Sequence, residues 1–600
     1  MVRQRAALLL PFALVACTTG SIGGDSTSAT STLPSCPAEA EPPAFHDTLE
    51  PTRVLRRIAI TLTGVPPSSD EYAALAGATT NEAREAILSA AIDKALASPA
   101  FYEKVVELGH DWLKTGSYTT GAMGESYWGN MSGDLGTCGG STKHAGAFYA
   151  LNELGENGAV TNVCNDLDLA GKPLEMAVNN VEPWWAPGTK VTIIGRAGGD
   201  VRTLTDDKGA KVDCGVPRGG YWDMHLAVGC GCGPNLVWCF PLPGLASGDP
   251  RSESMQRRAP WEEPARFLGH LAWHDRPLSD LVVGNYSVGN NMLRALYVRM
   301  ARKIAFAHPE LDDDTSWWRP GGEPRDPLHA DKGDPSAWRE FEVSKLDPYL
   351  LSSRTVSYDP RKTTEAAPGV PAAGVLTMMG SLSTFSRERP RAARFLEIFA
   401  CQNFVPPPAS EPFNAYDGDP ATSGSCQHCH RTLDPAAIHF KRWDFSSAGY
   451  VELPIIPGVG EWRVTKAMLT GAYPYDRNPY ARWRLSFQPN TVLTPITAAE
   501  LEANPEAMFL DTMPSTSTLL GQKGDGTMGP LGFGKILLAS GEFDRCTTQH
   551  LYERFVGRAL DPAKEPGYLR ALTARFVEGG RKLKPFVRHL LSLPELRRGL

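Results

Sequence analysis

Along most of this chain the apolar residues recur at helical spacing. Val54, Leu55, Ile58 and Leu62 stand three or four positions apart, which puts them on one face of a helix. Gly64-Val65-Pro66-Pro67 stops that run, and Ser68-Ser69-Asp70-Glu71 carries the polar signature of a new helix start. An amphipathic stretch over residues 82–114 follows, broken near Ser98-Pro99. Helical patterning resumes at Pro260 and ends at Asp275-Arg276-Pro277. Further helices are predicted over 292–306 and 389–403, the latter halted by Pro406-Pro407-Pro408. From Leu531 onward three apolar faces succeed one another: Leu551, Phe555 and Leu560; Leu569, Leu572 and Phe576; Phe586, Leu590 and Leu591.

Three stretches break the helical rule. Residues 18–44 are Ser, Thr, Gly, Ala and Pro with almost no large apolar group, so they cannot bury enough surface to fold and predict a flexible tether. Residues 115–250 hold six cysteines among Gly, Asn and Trp, with β-like runs such as Lys190-Val191-Thr192-Ile193-Ile194-Gly195. This reads as a disulfide-stapled, partly β insertion. Residues 309–370 are polar and rich in Pro and Gly, an irregular excursion. The predicted fold is therefore mainly α, a multi-helical body carrying a cysteine-rich, partly β insertion. The expected order is a signal segment at 1–17, a tether at 18–44, a helical unit at 45–114 and the insertion at 115–250. A helical domain at 251–403, a C-x-x-C-H region at 404–530 and a C-terminal helical unit at 531–600 complete it. Six hundred residues are too many for one core, so two or more packed units are expected.

The first residues change the picture from a fold to a compartment. Arg3 and Arg5 precede a short apolar run, and Leu14-Val15-Ala16-Cys17 resembles a bacterial lipobox. The run is too short to span a bilayer, so it reads as a processed export signal, with Cys17 the lipidated first residue of the mature protein. Thr18 follows and no Asp does, which by resemblance to lipoprotein sorting rules favours the outer membrane, on its periplasmic or cell-surface side. An ordinary cleaved signal peptide is the alternative. Outside the cytoplasm disulfides persist. A formal charge of −7 gives no case for nucleic acid.

Cys426-Gln427-His428-Cys429-His430 is a C-x-x-C-H run, the attachment signature of c-type haem. Two thiols add to the vinyl groups at one edge of a rigid ring, and the imidazole that follows reaches the iron from below. The expected cofactor is one covalent haem (heme c) on Cys426 and Cys429 with His430 as iron ligand; half a zinc site is the alternative chemistry. Candidates for the opposite axial position are Met378, Met379 and Met528. His428 lies inside the motif, and His439 is too near His430 in sequence to cross to the other face. Of 12 cysteines, Cys17, Cys426 and Cys429 take these roles. The remaining nine are Cys36, Cys138, Cys164, Cys214, Cys230, Cys232, Cys239, Cys401 and Cys546. Nine is odd, so one is free or pairs between chains, Cys36 being the natural candidate. Cys230, Cys232 and Cys239 suit disulfides or a soft metal, and connectivity stays open.

Two decoys carry no chemistry. Gly529-Pro530-Leu531-Gly532-Phe533-Gly534-Lys535 imitates a phosphate loop, but Ile536 stands where a hydroxyl must hold magnesium. Asp312-Asp313-Asp314 lacks the spacing of a calcium loop.

The segment around Gly64-Val65-Pro66-Pro67 has an echo near the C-terminus at Ala559-Leu560-Asp561-Pro562, which suggests two related helical units. Several stretches together resemble the planctomycete cytochrome C-type exported proteins and their myxobacterial relatives, built of domains of unknown function. These are Leu55-Arg56-Arg57 with Leu62 to Pro67, Asp275-Arg276-Pro277-Leu278, Gly374-Val375-Leu376-Thr377, Cys426 to His430 with Leu433-Asp434-Pro435, and Phe555-Val556-Gly557-Arg558-Ala559-Leu560. They cover about half the chain and skip the insertion. The resemblance implies haem attachment at Cys426 and Cys429 and ligation by His430; it supplies no substrate. The expected function is electron transfer with a redox partner protein or a small-molecule electron donor or acceptor, at a membrane reached through the N-terminal lipid. A haem peroxidase or oxygenase acting on an extracytoplasmic substrate is one alternative. A non-redox, disulfide-stapled surface binding protein is another.

Overall fold

A computed structural model describes residues 49–115, 176–182, 190–196, 203–205, 209–213, 250–290, 293, 337–342, 371–385, 388–404, 427–440, 443–444, 449–450 and 516–598. Cys17, Cys36, Cys426, the six cysteines of the insertion, the helix expected at 292–306 (Leu293 apart) and the excursion at 309–370 (337–342 apart) lie outside them.

Among the described residues the protein is mainly helical with few short strands. The N-terminal part is four helices: α1 Pro51–Thr63, α2 Ser69–Gly77, α3 Asn81–Leu96 and α4 Pro99–Leu113. α1 buries Val54, Leu55, Ile58 and Leu62, the stripe read from spacing, and ends on Gly64 in the left-handed region. α2 opens with a capping box between Ser68 and Glu71. α3 and α4 are capped by the side chains of Thr80 and Ser98.

The next elements are short strands. β1 Met176–Val181 pairs antiparallel with β2 Val191–Arg196, and β3 Thr203–Thr205 with β4 Lys211–Asp213. α5, Pro250–Trp273, begins ten residues before Pro260 and continues through both Pro260 and Pro264. Each proline removes a ladder donor, so Pro260 read as a helix start rather than an interior residue. Gly109 of α4 faces Ala265 of α5 so closely that an added Cβ would sit 2.8 Å from the Ala265 Cα. α6, Asp280–Val283, follows the Asp275 turn, whose φ is +52°. β5 Tyr286–Gly289 pairs antiparallel with β6 Arg339–Glu342.

Gly374–Thr377 forms a 3-10 turn and leads into α7 Met379–Thr384 and α8 Glu388–Ala400. α8 stops three residues short of Asn403, because Cys401 takes a φ of +53°. α9 Gln427–Ala437 runs into a second 3-10 turn at Ile438–Phe440. β7 Trp443–Asp444 and β8 Gly449–Tyr450 form a minimal pair, and β9 Thr516–Leu519 pairs with β10 Gln522–Asp525. Four helices close the chain: α10 Pro530–Ala539, α11 Glu542–Val556, α12 Pro566–Glu578 and α13 Leu583–Ser592, with a last turn at Pro594–Arg597. All nine apolar residues predicted to line the C-terminal faces are buried.

One continuous buried cluster takes in residues from α1, α3, α4, α5, α8, α10, α11, α12 and α13. The N-terminal and C-terminal helical segments therefore share a core. Arg57 of α1 donates to the carbonyls of Val556, Leu596 and Arg598, and Arg588 of α13 reaches Ser89 and Asp93 of α3. The echo between the segments is partial: α1 and α11 both end on a left-handed glycine, Gly64 and Gly557, but three helices follow α1 whereas two helices and a 3-10 turn follow α11. It fails in length, since α4 has 15 residues and the turn at Pro594–Arg597 has 4. Among the described residues no helix is long and apolar enough to cross a membrane.

Candidate functional site

The described residues of the C-x-x-C-H run, Gln427 to His430, form the first turn of α9. Gln427 opens the helix, His428 is exposed, and Cys429 and His430 are half-buried. Cys429 carries a free thiol. The helix continues past Pro435 and ends in the buried turn Ile438–Phe440.

His430 is oriented by its own helix. Its Nδ1 lies 3.1 Å from Oδ1 of Asp434, one turn on, the spacing at which helical side chains meet. Asp434 is buried, and Arg389 at the start of α8 donates through Nε to the same oxygen at 2.5 Å. Burial works to raise the Asp434 pKa, but the hydrogen bonds from His430 and Arg389 outweigh it and hold the carboxyl below its ordinary value. An ionised Asp434 accepts from His430 Nδ1–H, which fixes the tautomer and leaves Nε2 with its lone pair. This is the outer-sphere arrangement that metal-binding imidazoles use. Asp434 Oδ2 is buried with no hydrogen-bond partner among the described residues, so the carboxylate leans wholly on its His–Arg side.

The far end of α9 is anchored by a second histidine. His439 is almost completely buried, with Nδ1 at 2.8 Å from the Gly529 carbonyl and Nε2 at 2.7 Å from Ser517 Oγ. Nδ1–H donates to the carbonyl and Nε2 accepts from the serine hydroxyl, so both ring nitrogens are taken. Burial drives its pKa down to about 4. His439 is thus a neutral strut between α9 and the β9–β10 hairpin. Arg391 is also buried and donates to the carbonyls of Leu382 and Phe440, tying α7 and α8 to the end of the motif helix.

The glycines of the phosphate-loop mimic serve packing. A Cβ at Gly532 would meet the Asp525 carbonyl at 2.3 Å and the His439 ring at 3.0 Å, and one at Gly534 would meet the Val282 carbonyl at 1.9 Å. The small residues let α10 lie against His439 and α6. Met378 is buried in the core at the N-terminus of α7. The side chain of Met379 lies outside the described residues. Met528 is half-buried in the turn beside Gly529, the residue that holds His439, and its Sδ lies 3.7 Å from Lys535 Nζ. No protein-family model, curated protein or solved structure matches this chain.

The described residues of the motif supply a thiol and an imidazole, donors that would suit a covalent c-type haem and zinc alike. Cys429 offers a free thiol, and the next residue offers an imidazole whose outer nitrogen is held by a buried carboxylate. Sequence reading had not given Asp434 or Arg389 a role. The signal available was His-x-x-x-Asp on one helix, a spacing legible at 430 and 434; nothing in sequence pointed to Arg389.

Proposed function

We propose that this chain is an exported, lipid-anchored protein that carries one covalent c-type haem on Cys426 and Cys429 and moves single electrons. His430 would supply one axial ligand through Nε2. The observation that carries the reading is the Arg389–Asp434–His430 chain of hydrogen bonds behind a C-x-x-C-H motif. A carboxylate-backed imidazole would serve zinc as well; what favours haem is the C-x-x-C-H spacing, with the imidazole immediately after the second cysteine. When bound, haem iron supplies one-electron oxidation and reduction. The protein's own residues set its electronics: Asp434 accepts from Nδ1–H and makes the imidazole a stronger donor, and Arg389 limits that effect by sharing the carboxylate. Cys17 as lipid anchor, the tether at 18–44 and an outer-membrane location belong to the same proposal, supported by the lipobox-like run and the compartment that c-type haem and disulfides share. The resemblance to planctomycete and myxobacterial cytochrome C-type proteins supports it further.

The test is expression of the full chain with haem-maturation machinery, followed by denaturing electrophoresis with haem staining and a pyridine haemochrome spectrum. One covalent haem per chain is expected, lost in Cys426→Ser/Cys429→Ser. A matured chain with no covalent haem overturns the proposal.

A further inference from the structure

Cys401, at the end of α8, and Cys546, on α11, form a disulfide with a Cα–Cα distance of 5.3 Å. One turn further along α11 stands His550, whose Nε2 lies 3.6 Å from Cys401 Sγ. The two sulfurs and the imidazole nitrogen lie within 4.8 Å of one another. Cys546 and His550 are four residues apart on one helix, so their side chains share a face; Cys401 completes the triangle from the neighbouring helix. Cys546 is buried, whereas Cys401 and His550 line an open cavity of about 520 Å³. Asp111, Glu397, Asn403 and Gln549 line the same cavity and offer oxygen atoms. Nothing in the haem proposal uses these residues.

We propose that reduction of this disulfide creates a binding site for one thiophilic divalent cation of the zinc type, held by Cys401, Cys546 and His550. In a tetrahedral zinc site with bonds of about 2.3 Å to sulfur and about 2.05 Å to nitrogen, a sulfur and a nitrogen stand about 3.6 Å apart. Cys401 Sγ and His550 Nε2 already have that separation. Two sulfurs in such a site stand about 3.8 Å apart, which only side-chain rotation after reduction has to provide. Three protein ligands and a fourth position open to a cavity is the composition of a zinc site that keeps a place for water or a substrate.

The chemistry balances in two steps. A dithiol reductant enters by the cavity, and its thiolate attacks Cys401 Sγ. The protein S–S bond breaks, the Cys546 sulfur leaves with the electron pair and takes a proton, and a mixed disulfide forms. The reductant's second thiol displaces Cys401 as a thiol and closes the reductant's own disulfide. The cation then replaces two S–H protons, so two thiolates and a divalent ion give a neutral site. Oxidation of the dithiol by an external disulfide ejects the cation. The site is thus a metal centre gated by the thiol redox poise of its surroundings.

The experiment uses the full chain, a phosphine reductant and zinc alone as the probe. Cysteines are alkylated with and without zinc, and modification is read at each position by peptide mapping. Zinc is expected to protect both Cys401 and Cys546 in the reduced chain, with loss of most of their alkylation, because a thiolate held by the cation is no longer the free nucleophile. His550→Ala should lose that protection, and His550→Cys should restore it by supplying a third thiolate. Equal alkylation with and without zinc overturns the proposal, whether or not the reduced chain stays folded. Protection that survives in His550→Ala overturns it as well, since two thiolates alone would then suffice.

Discussion

At the scale of single residues, the protein uses two histidines nine positions apart in opposite ways. His430 is half-buried and has one nitrogen committed to a carboxylate; His439 is buried and has both committed. The difference has measurable consequences. Asp434→Asn keeps the volume but removes the charge that strengthens the imidazole, so a protein carrying the proposed haem is expected to show a higher potential in a redox titration. Asp434→Ala leaves Arg389 and His430 facing an empty site and should cost about 3 kcal/mol in urea unfolding. His439 sets an acid limit. Its unfolded pKa is near 6.5 and its folded pKa is about 4, so between those values the unfolded chain binds a proton that the folded one refuses. Stability contributed by the neutral ring is complete above about pH 6.5 and declines as the pH falls towards 4, by ~3 kcal/mol in all. His439→Gln keeps donor and acceptor without a titrating ring; its stability should be flatter across that window, and an equal slope in both proteins would refute the assignment.

At the scale of elements, close backbone approach and one covalent bond decide how the helices sit. Gly374 has a φ of +51°, and a Cβ there would lie 2.3 Å from the Asp280 carbonyl. Gly374→Ala therefore combines a left-handed backbone with a steric clash, and a loss of about 2 kcal/mol or more is expected in thermal or chemical unfolding. Gly534 is packed even more tightly against α6. The disulfide closes a loop of 145 residues between α8 and α11. In the chain-entropy account a loop of that length stabilises by about 5 kcal/mol. Cys401→Ser/Cys546→Ser should lower the unfolding free energy measured in urea by a corresponding amount.

At the scale of the whole molecule, the first described helix and the last described segments clasp each other. Arg57 reaches carbonyls near residues 556, 596 and 598 from the first helix, and burial lowers its pKa. Arg57→Met keeps the stem but leaves the acceptors unpaired, for an expected cost of about 2–3 kcal/mol. Truncation after residue 592 would remove Leu596 from the shared core and most of those acceptors with it. The helical segments of the two ends consequently depend on one another for burial, so a truncated chain is expected to show loss of α1 and α3 protection in amide exchange.

Much of this was legible in the sequence, and the reason is local. Stripes such as Val54, Leu55, Ile58 and Leu62, the helix start at Ser68, the break at Ser98-Pro99, and the stops at Gly64 and Asp275 depend on residues within a few positions of each other, so periodicity and capping chemistry reveal them. The C-x-x-C-H run is legible for the same reason, since all five of its residues are neighbours in sequence. What tertiary structure alone decided is everything that joins distant positions: Arg389 behind Asp434, Ser517 and Gly529 on His439, and Cys401 on Cys546 beside His550. Those partners are separated by 45 to 149 residues. No local pattern records which remote side chain will arrive at a buried polar atom; that is settled only when helices pack and each buried donor must find its acceptor.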